Sequence, residues 1–196
     1  MLENIKKYQI ILGSSSPRRK QLLTELGFDF KIFKKNTEEN FPQEINKEKI
    51  AEFLSKKKCD NLCETIKESY YNYLLITADT VVLLEDTFFN KPKNNKEAYF
   101  MLSKLSGKSH KVITGVSIKT QEQHIIFSET SIVTFKKLLK EEIKYYIEKY
   151  KPLDKAGSYG VQEWIGLIGI KHISGSYSNI VGLPLSKLYE KLKSIK

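Results

Sequence analysis

Residues 71–86 read "YNYLLITADTVVLLED", the strongest strand signal in the chain, with β-branched and aromatic residues on both sides of Asp79. If this strand is central, the Asp79 carboxylate is carried into apolar surroundings, where an unpaired charge costs several kcal/mol or more. Something must answer it. A bound metal, a lysine or a reacting water would do so, and a carboxylate near phosphates is the usual group to hold a divalent cation or to take a proton from water. The plainer alternative is a strand-end Asp that caps a turn.

Toward the N-terminus, "YQIILGS" ends an apolar run in small residues and reads as a buried first strand. A helix follows at once. Ser16 suits the N-cap and Pro17 the first helical turn, Leu22, Leu23 and Leu26 supply a buried face, and Gly27 is placed to end the helix in a left-handed conformation. Phe28 to Phe33 predicts another strand, and "KKNTEENFPQEINKE" a polar loop leading to a helix that turns Ile50, Phe53, Leu54 and Cys59 inward.

Within that first unit, "ILGSSSPRRKQLL" holds Arg18 and Arg19, the only arginines among 33 basic residues. A helix start offers unpaired N–H groups and a positive dipole end, an anion site before any side chain is counted. Two guanidinium forks add bidentate phosphate binding, which lysine as a point charge cannot supply. Ser14, Ser15 and Ser16 add hydroxyls and let the backbone approach closely. The alternative is a capped helix with two exposed cations; the absence of arginine elsewhere favours a phosphate cradle. Glu38 and Glu39 could supply a metal ligand, or simply be solvated, and Lys58 and Lys91 are candidate phosphate contacts among many lysines.

Past the central strand, "NKPKNNKEAYFMLSKLSGKSH" turns into a helix ending near Gly107, and "KVITGVSIKTQEQHIIFSETSIVTF" reads as a meander or hairpin. An amphipathic helix follows in "LLKEEIKYYIEKY". Asp154 to Gly182, with five glycines before its end, reads as turns and short strands, and a last helix starts near Pro184. The class is α/β, or α+β with a mixed sheet, because the central meander requires antiparallel pairing. "LSGKS" at Leu105 to Ser109 is not a triphosphatase phosphate loop: Leu102 stands where that pattern needs glycine, and a helix precedes it.

The 196 residues suit one domain, with 40% hydrophobic and 29% charged residues as in ordinary globular proteins. A formal charge of +10 fits nucleic acid, a membrane surface or a polyanionic small molecule. Lysines spread along the whole chain point to a solvated surface rather than a nucleic-acid footprint, and the tyrosines and phenylalanines fall mostly at core-like periodic positions. Cys59 and Cys63, four apart in a helical stretch, read as reduced core thiols, which fits a cytoplasmic address. The three histidines lie far apart with no ligand pattern. The first dozen residues make neither a signal peptide nor a membrane anchor.

Six blocks, "ILGSSSPRRKQLL", "ITADTVV", "NKP", "LSGKSHKVITGVSI", "DKAGSYGVQ" and "SNIVGLPLSKL", in that order and spacing, resemble the signature blocks of the Maf family of nucleoside triphosphate pyrophosphatases. The resemblance covers nearly the whole chain, residues 1–196 as one Maf-like domain. It implies a mixed, twisted sheet flanked by helices, two lobes around a nucleotide-binding cleft, an architecture like that of inosine triphosphate pyrophosphatases, and a homodimer. It also implies hydrolysis of nucleotides between the α and β phosphates with Mg²⁺ or Mn²⁺, with no stable nucleic-acid partner and no membrane association. Asp79 matches the family's proton acceptor, and Ser14, Arg19, Glu38, Lys58 and Lys91 match polar cleft residues, Glu38 as the metal candidate. Arg18, Thr80 and Gln162 match three positions associated with substrate choice and look like the dTTP and UTP branch rather than the 7-methyl-GTP branch. A glutamine amide can accept from the N3–H and donate to a carbonyl of uracil or thymine. The sequence departs from the pattern in "QEWIG", where Glu163 and Trp164 follow the glutamine and many relatives have glycine next. A rival reading from another class is a basic nucleic-acid-binding module without catalysis.

Overall fold

The computed structural model describes residues 2–196. Its first strand, β1 (Gln9–Leu12), leads directly into α1 (Pro17–Glu25). The Ser16 hydroxyl accepts the Arg19 N–H at 3.4 Å as N-cap, Pro17 opens the helix, and Gly27 follows it at φ 75°. The cap, the proline and the glycine thus do what their chemistry predicts, and Leu22 and Leu23 are buried, whereas Leu26, at the C-cap, is only half-buried. β2 (Phe30–Ile32) is parallel to β1, with Ile11 opposite Lys31, and is shorter than the apolar run implied.

After the polar loop, α2 (Ile50–Ser69) buries Ile50, Leu54, Cys59 and Cys63, while Phe53, expected inward, is only half-buried. Both thiols are free and buried, and burial pushes the Cys59 thiol up to about 11, so it stays protonated and inert. β3 (Tyr73–Leu84) is buried at every position except Thr80 and pairs parallel with β1, Ile11 opposite Leu75. It turns back through Glu85, at φ 53°, into β4 (Thr87–Phe89), an antiparallel return beyond the strands that the sequence predicts.

α3 (Asn95–Leu105) is capped by the Asn94 side chain, which accepts the Glu97 N–H at 3.0 Å, and is followed by Gly107 at φ 73°. That glycine therefore joins a helix to a strand, the reverse of the order in a phosphate loop. β5 (Ser109–Lys119) and β6 (His124–Phe135) are the expected hairpin strands, and the Thr120 N–H donates to the Gln123 carbonyl across the turn. α4 (Lys140–Tyr150) buries Ile143, Tyr146 and Ile147. The glycine-rich stretch, expected as turns and short strands, instead contains two short helices, α5 (Trp164–Gly169) and, after β7 (Ile170–Ser174), α6 (Tyr177–Val181). The final α7 (Leu185–Lys193) begins after Pro184. Strand order is β2-β1-β3-β5-β6-β7, with β4 on β3, a mixed seven-stranded sheet with helices and so the α/β class that the sequence implied. Among the described residues no helix is long and apolar enough to cross a membrane.

Contacts divide the chain into two compact units, Met1–Asp79 with Thr114–Glu129 and Gly182–Lys196, and Thr80–Ile113 with Thr130–Val181. In the first, the buried face of α2 packs Cys59, Leu62 and Ile66 against Ile11, Tyr73 and Leu75. In the second, α3 and α4 contribute Leu102 and Tyr146 to a core that includes Phe135, Tyr159 and Ile165.

His110 is buried in that second core. Its Nε2 meets the Tyr159 hydroxyl at 2.7 Å, its ring stacks on Phe135, and its Nδ1 finds no hydrogen-bond partner among the described residues. Burial lowers its pKa to about 4 from 6.5, so the folded protein holds a neutral ring. Above pH 6.5 neither folded nor unfolded chain is protonated there, and this histidine leaves stability flat. As pH falls from 6.5 toward 4 only the unfolded chain gains the proton, so stability is lost, by about 3 kcal/mol across the window. Melting temperature measured from pH 7 to pH 4.5 is expected to fall more steeply for the wild type than for His110→Gln; equal slopes would assign the acid sensitivity to other groups.

Candidate active site

β1 ends at Leu12, and the backbone turns at Gly13, whose N–H donates to the Ile76 carbonyl at 2.8 Å. A Cβ there would stand 2.5 Å from Leu62 Cδ1 and 2.7 Å from Thr77 Cγ2, so only glycine lets the strand end lie this close to α2 and β3. The turn places Ser14 to Ser16 ahead of α1, and the Ser14 hydroxyl accepts the Ser16 N–H at 3.2 Å. Arg19, one turn into the helix, folds back on this corner. Its Nε donates to the Gly182 carbonyl at 2.8 Å and its Nη1 to Ser14 Oγ at 3.4 Å. Burial holds the Arg19 guanidinium below its ordinary value, the Asp79 carboxylate opposes that, Arg18 adds to the lowering and Glu39 raises it. Guanidinium remains charged in any case, so the site carries a fixed, planar cation beside two carboxylates.

The charge on Asp79 is answered by a lysine. Lys58 Nζ, from α2, donates to Asp79 Oδ1, and also to Glu39 Oε1 at 2.8 Å. The Asp79 side chain is 7% exposed and that of Lys58 17%. Such a pair is desolvated, so its worth depends on both partners remaining in place. The arrangement explains why Asp79 can sit on a buried strand: β3 brings it there, and the third turn of α2 meets it with an ammonium. Two carboxylates from distant segments, one on a loop and one on the sheet, converge on one cation.

The sequence had singled out Glu38 as metal candidate. Glu38 is exposed and accepts from Asn40 Nδ2 at 3.0 Å, whereas its neighbour Glu39 is the acid that converges with Asp79. Among the described residues no group of three or more His, Cys, Asp or Glu side chains is placed to hold a metal alone. Two convergent carboxylates do fit a Mg²⁺-type cation that arrives with phosphate oxygens and water, since such ions take one or two carboxylates plus substrate. The structure thus brings together Ser14, Arg19, Lys58 and Asp79, with Arg18 in the same first turn of α1 as Arg19. Thr80, Lys91 and Gln162 belong to the other unit: Thr80 is half-buried on β3, Lys91 is exposed with its N–H held by Asn90 Oδ1 at 2.8 Å, and Gln162 is exposed in a turn before α5. The sequence shows Glu39 only as half of a loop pair, with nothing to join it to Lys58. No local pattern links positions nineteen residues apart in a chain so rich in lysine.

The family model described as Maf-like protein matches residues 9–195. Among curated proteins, one from Parabacteroides distasonis is 48% identical over 194 residues, covering 98% of this chain and 99% of that protein. Another from Bacteroides thetaiotaomicron is 48% identical over the full length of both, and one from Flavobacterium johnsoniae is 43% identical over 98% of each. All three bear the name dTTP/UTP pyrophosphatase.

Proposed function

The chain belongs to the Maf family, and on that premise we propose that it hydrolyses dTTP and UTP between the α and β phosphates, giving the nucleoside monophosphate and pyrophosphate. The observation that carries this reading is identity of 48% along the whole of both chains to a protein named for that activity. The serine and arginine corner of α1 supports it as a phosphate-binding element, and Asp79 as the group that takes the proton of the attacking water. In that step a water oxygen bonds to phosphorus, Asp79 receives the proton, and the P–O bond of the α–β bridge breaks with its electron pair leaving on pyrophosphate. Lys58, paired with both Asp79 and Glu39, orients the Asp79 carboxylate until the phosphates arrive. A divalent cation, Mg²⁺ or Mn²⁺, held by Asp79 and Glu39 or Glu38 together with the phosphates, would offset their charge. A homodimer and a cytoplasmic setting belong to the same proposal, supported by the family resemblance and, for the setting, by two buried free thiols.

The test is direct: incubate the protein with Mg²⁺ or Mn²⁺ and a panel of pyrimidine and purine triphosphates including 7-methyl-GTP, and measure pyrophosphate. Release of orthophosphate instead, or no turnover of dTTP and UTP, would defeat the reading.

Within this proposal Gln162 reads the base. Gln162→Glu keeps the size but replaces the NH₂ donor by an anion facing a base carbonyl, at a cost of about 1–3 kcal/mol. The value of kcat/KM for dTTP and UTP is expected to fall about 10-fold or more, with a smaller change for poor substrates. Equal losses for every nucleotide would place Gln162 with the phosphates or the loop.

A further inference from the structure

Gln162 stands third in the turn Gly160 to Glu163, closed by the Glu163 N–H donating to the Gly160 carbonyl at 3.0 Å. The residue before it, Val161, is buried, and Gln162 itself is exposed. The two ends of the turn are gripped by one phenol. Tyr146 of α4 accepts the Gly160 N–H at 3.0 Å and donates its own proton to Glu163 Oε2. The other carboxylate oxygen, Oε1, pairs with Lys155 Nζ at 3.0 Å, and that ammonium also meets Asp154 at 2.8 Å. Burial first, then the bond to Glu163, raises the Tyr146 phenol above its ordinary range, so it remains a donor.

The backbone leaves no slack around this network. A Cβ on Gly160 would lie 2.7 Å from Glu163 Cδ, and a Cβ on Gly166 would lie 2.0 Å from the Val161 carbonyl oxygen, so α5 is pressed onto the turn. Glu163 also starts α5, its carbonyl accepting the Leu167 N–H at 3.1 Å. A turn that only joined two segments would need none of this. A buried lysine and tyrosine joined by a half-buried glutamate add little net stability over apolar residues of similar volume, because desolvating the charges offsets their attraction. What such a satisfied network does supply is a single conformation, here of the turn that carries Gln162.

We propose that Tyr146, Glu163 and Lys155 are positioning residues that fix the turn presenting Gln162, and that through it they set the base selectivity of the enzyme. The proposal rests on the reading of Gln162 as the base-recognising residue. It also accounts for the departure from the family pattern, since the glutamate after Gln162 is the member of the network that touches both other side chains.

The experiment is a comparison of Tyr146→Phe, Glu163→Gln and Gln162→Ala, singly and with Tyr146→Phe combined with Gln162→Ala, using dTTP, UTP and a poor substrate such as CTP. Tyr146→Phe keeps the buried ring and removes only the hydroxyl, so it tests the idea even where Glu163→Gln lowers folding yield. Tyr146→Phe is expected to cut the preference for dTTP over CTP by about 5-fold or more, chiefly through KM, with kcat for dTTP within about 2-fold of wild type. In the Gln162→Ala background the same change should alter the preference no further, as expected of residues acting through one another. If Gln162→Ala collapses the preference while Tyr146→Phe and Glu163→Gln retain it, even with lowered melting temperatures, the network is merely structural and the proposal is overturned. If Gln162→Ala itself leaves the preference intact, the base reading fails first and takes this proposal with it.

Discussion

Asp79→Asn is expected to lower turnover of dTTP and UTP by ~10²-fold or more, because an amide of the same shape can neither take a proton from water nor carry the charge a cation needs. The structure supplies the reason why the fold should survive. Removing one partner of a buried ion pair ordinarily leaves a stranded charge and costs about 3–5 kcal/mol. Here Lys58 keeps a second carboxylate, Glu39, at 2.8 Å, and an asparagine oxygen can still accept from the ammonium. Circular dichroism and melting temperature should therefore stay near wild type while pyrophosphate release falls. A variant that is folded and nearly as fast would remove Asp79 from the chemistry and leave it as Lys58's structural counter-ion.

Much of this arrangement was legible where the signal was local. The corner from Gly13 to Gly27 declares itself because each device acts within a few residues: a serine cap, a proline in the first turn, a glycine at φ 75° after the last. The central strand announced itself by its β-branched and aromatic run, of which the structure buries eleven of twelve positions, and Asp79 by being the only acid within it. Its partner was not legible. Lys58 was one of three consecutive lysines, and only the register of α2 against β3 selects which of them reaches the carboxylate.

The glycine-rich stretch misled for a different reason. Gly166 and Gly169 lie inside a helix not because the backbone needs freedom there but because neighbouring atoms come close: the Val161 carbonyl to one, Leu138 Cδ2 at 2.9 Å from a Cβ on the other. Glycine spacing alone cannot tell a turn from a tight packing contact. β4 was invisible because three residues carry no period, and because its turn places Glu85 in the left-handed region without the glycine or asparagine that usually marks it.

The arginine pair can now be separated residue by residue. Arg19→Lys is expected to lower kcat/KM for dTTP by about 10- to 100-fold although the charge is conserved, since one ammonium cannot reproduce a planar fork. Two edges of that fork are already committed, Nε to the Gly182 carbonyl and Nη1 to Ser14 Oγ, and they orient the remaining donors relative to the start of α1. A lysine nitrogen could take up the Gly182 carbonyl or a phosphate, and would have to leave one to reach the other. Loss of the anchor should show as a small drop in melting temperature. Loss of the phosphate contact should show separately, as a rise in KM for dTTP and weaker inhibition by added pyrophosphate. Arg18→Lys, in the same helical turn, is expected to impair the enzyme as well, because only the guanidinium fork pairs bidentately with phosphate oxygens. Should both lysine variants match the wild type across substrate concentrations, the confinement of arginine to this corner is an accident of composition, and the phosphates must be held by the helix N-terminus and lysines instead.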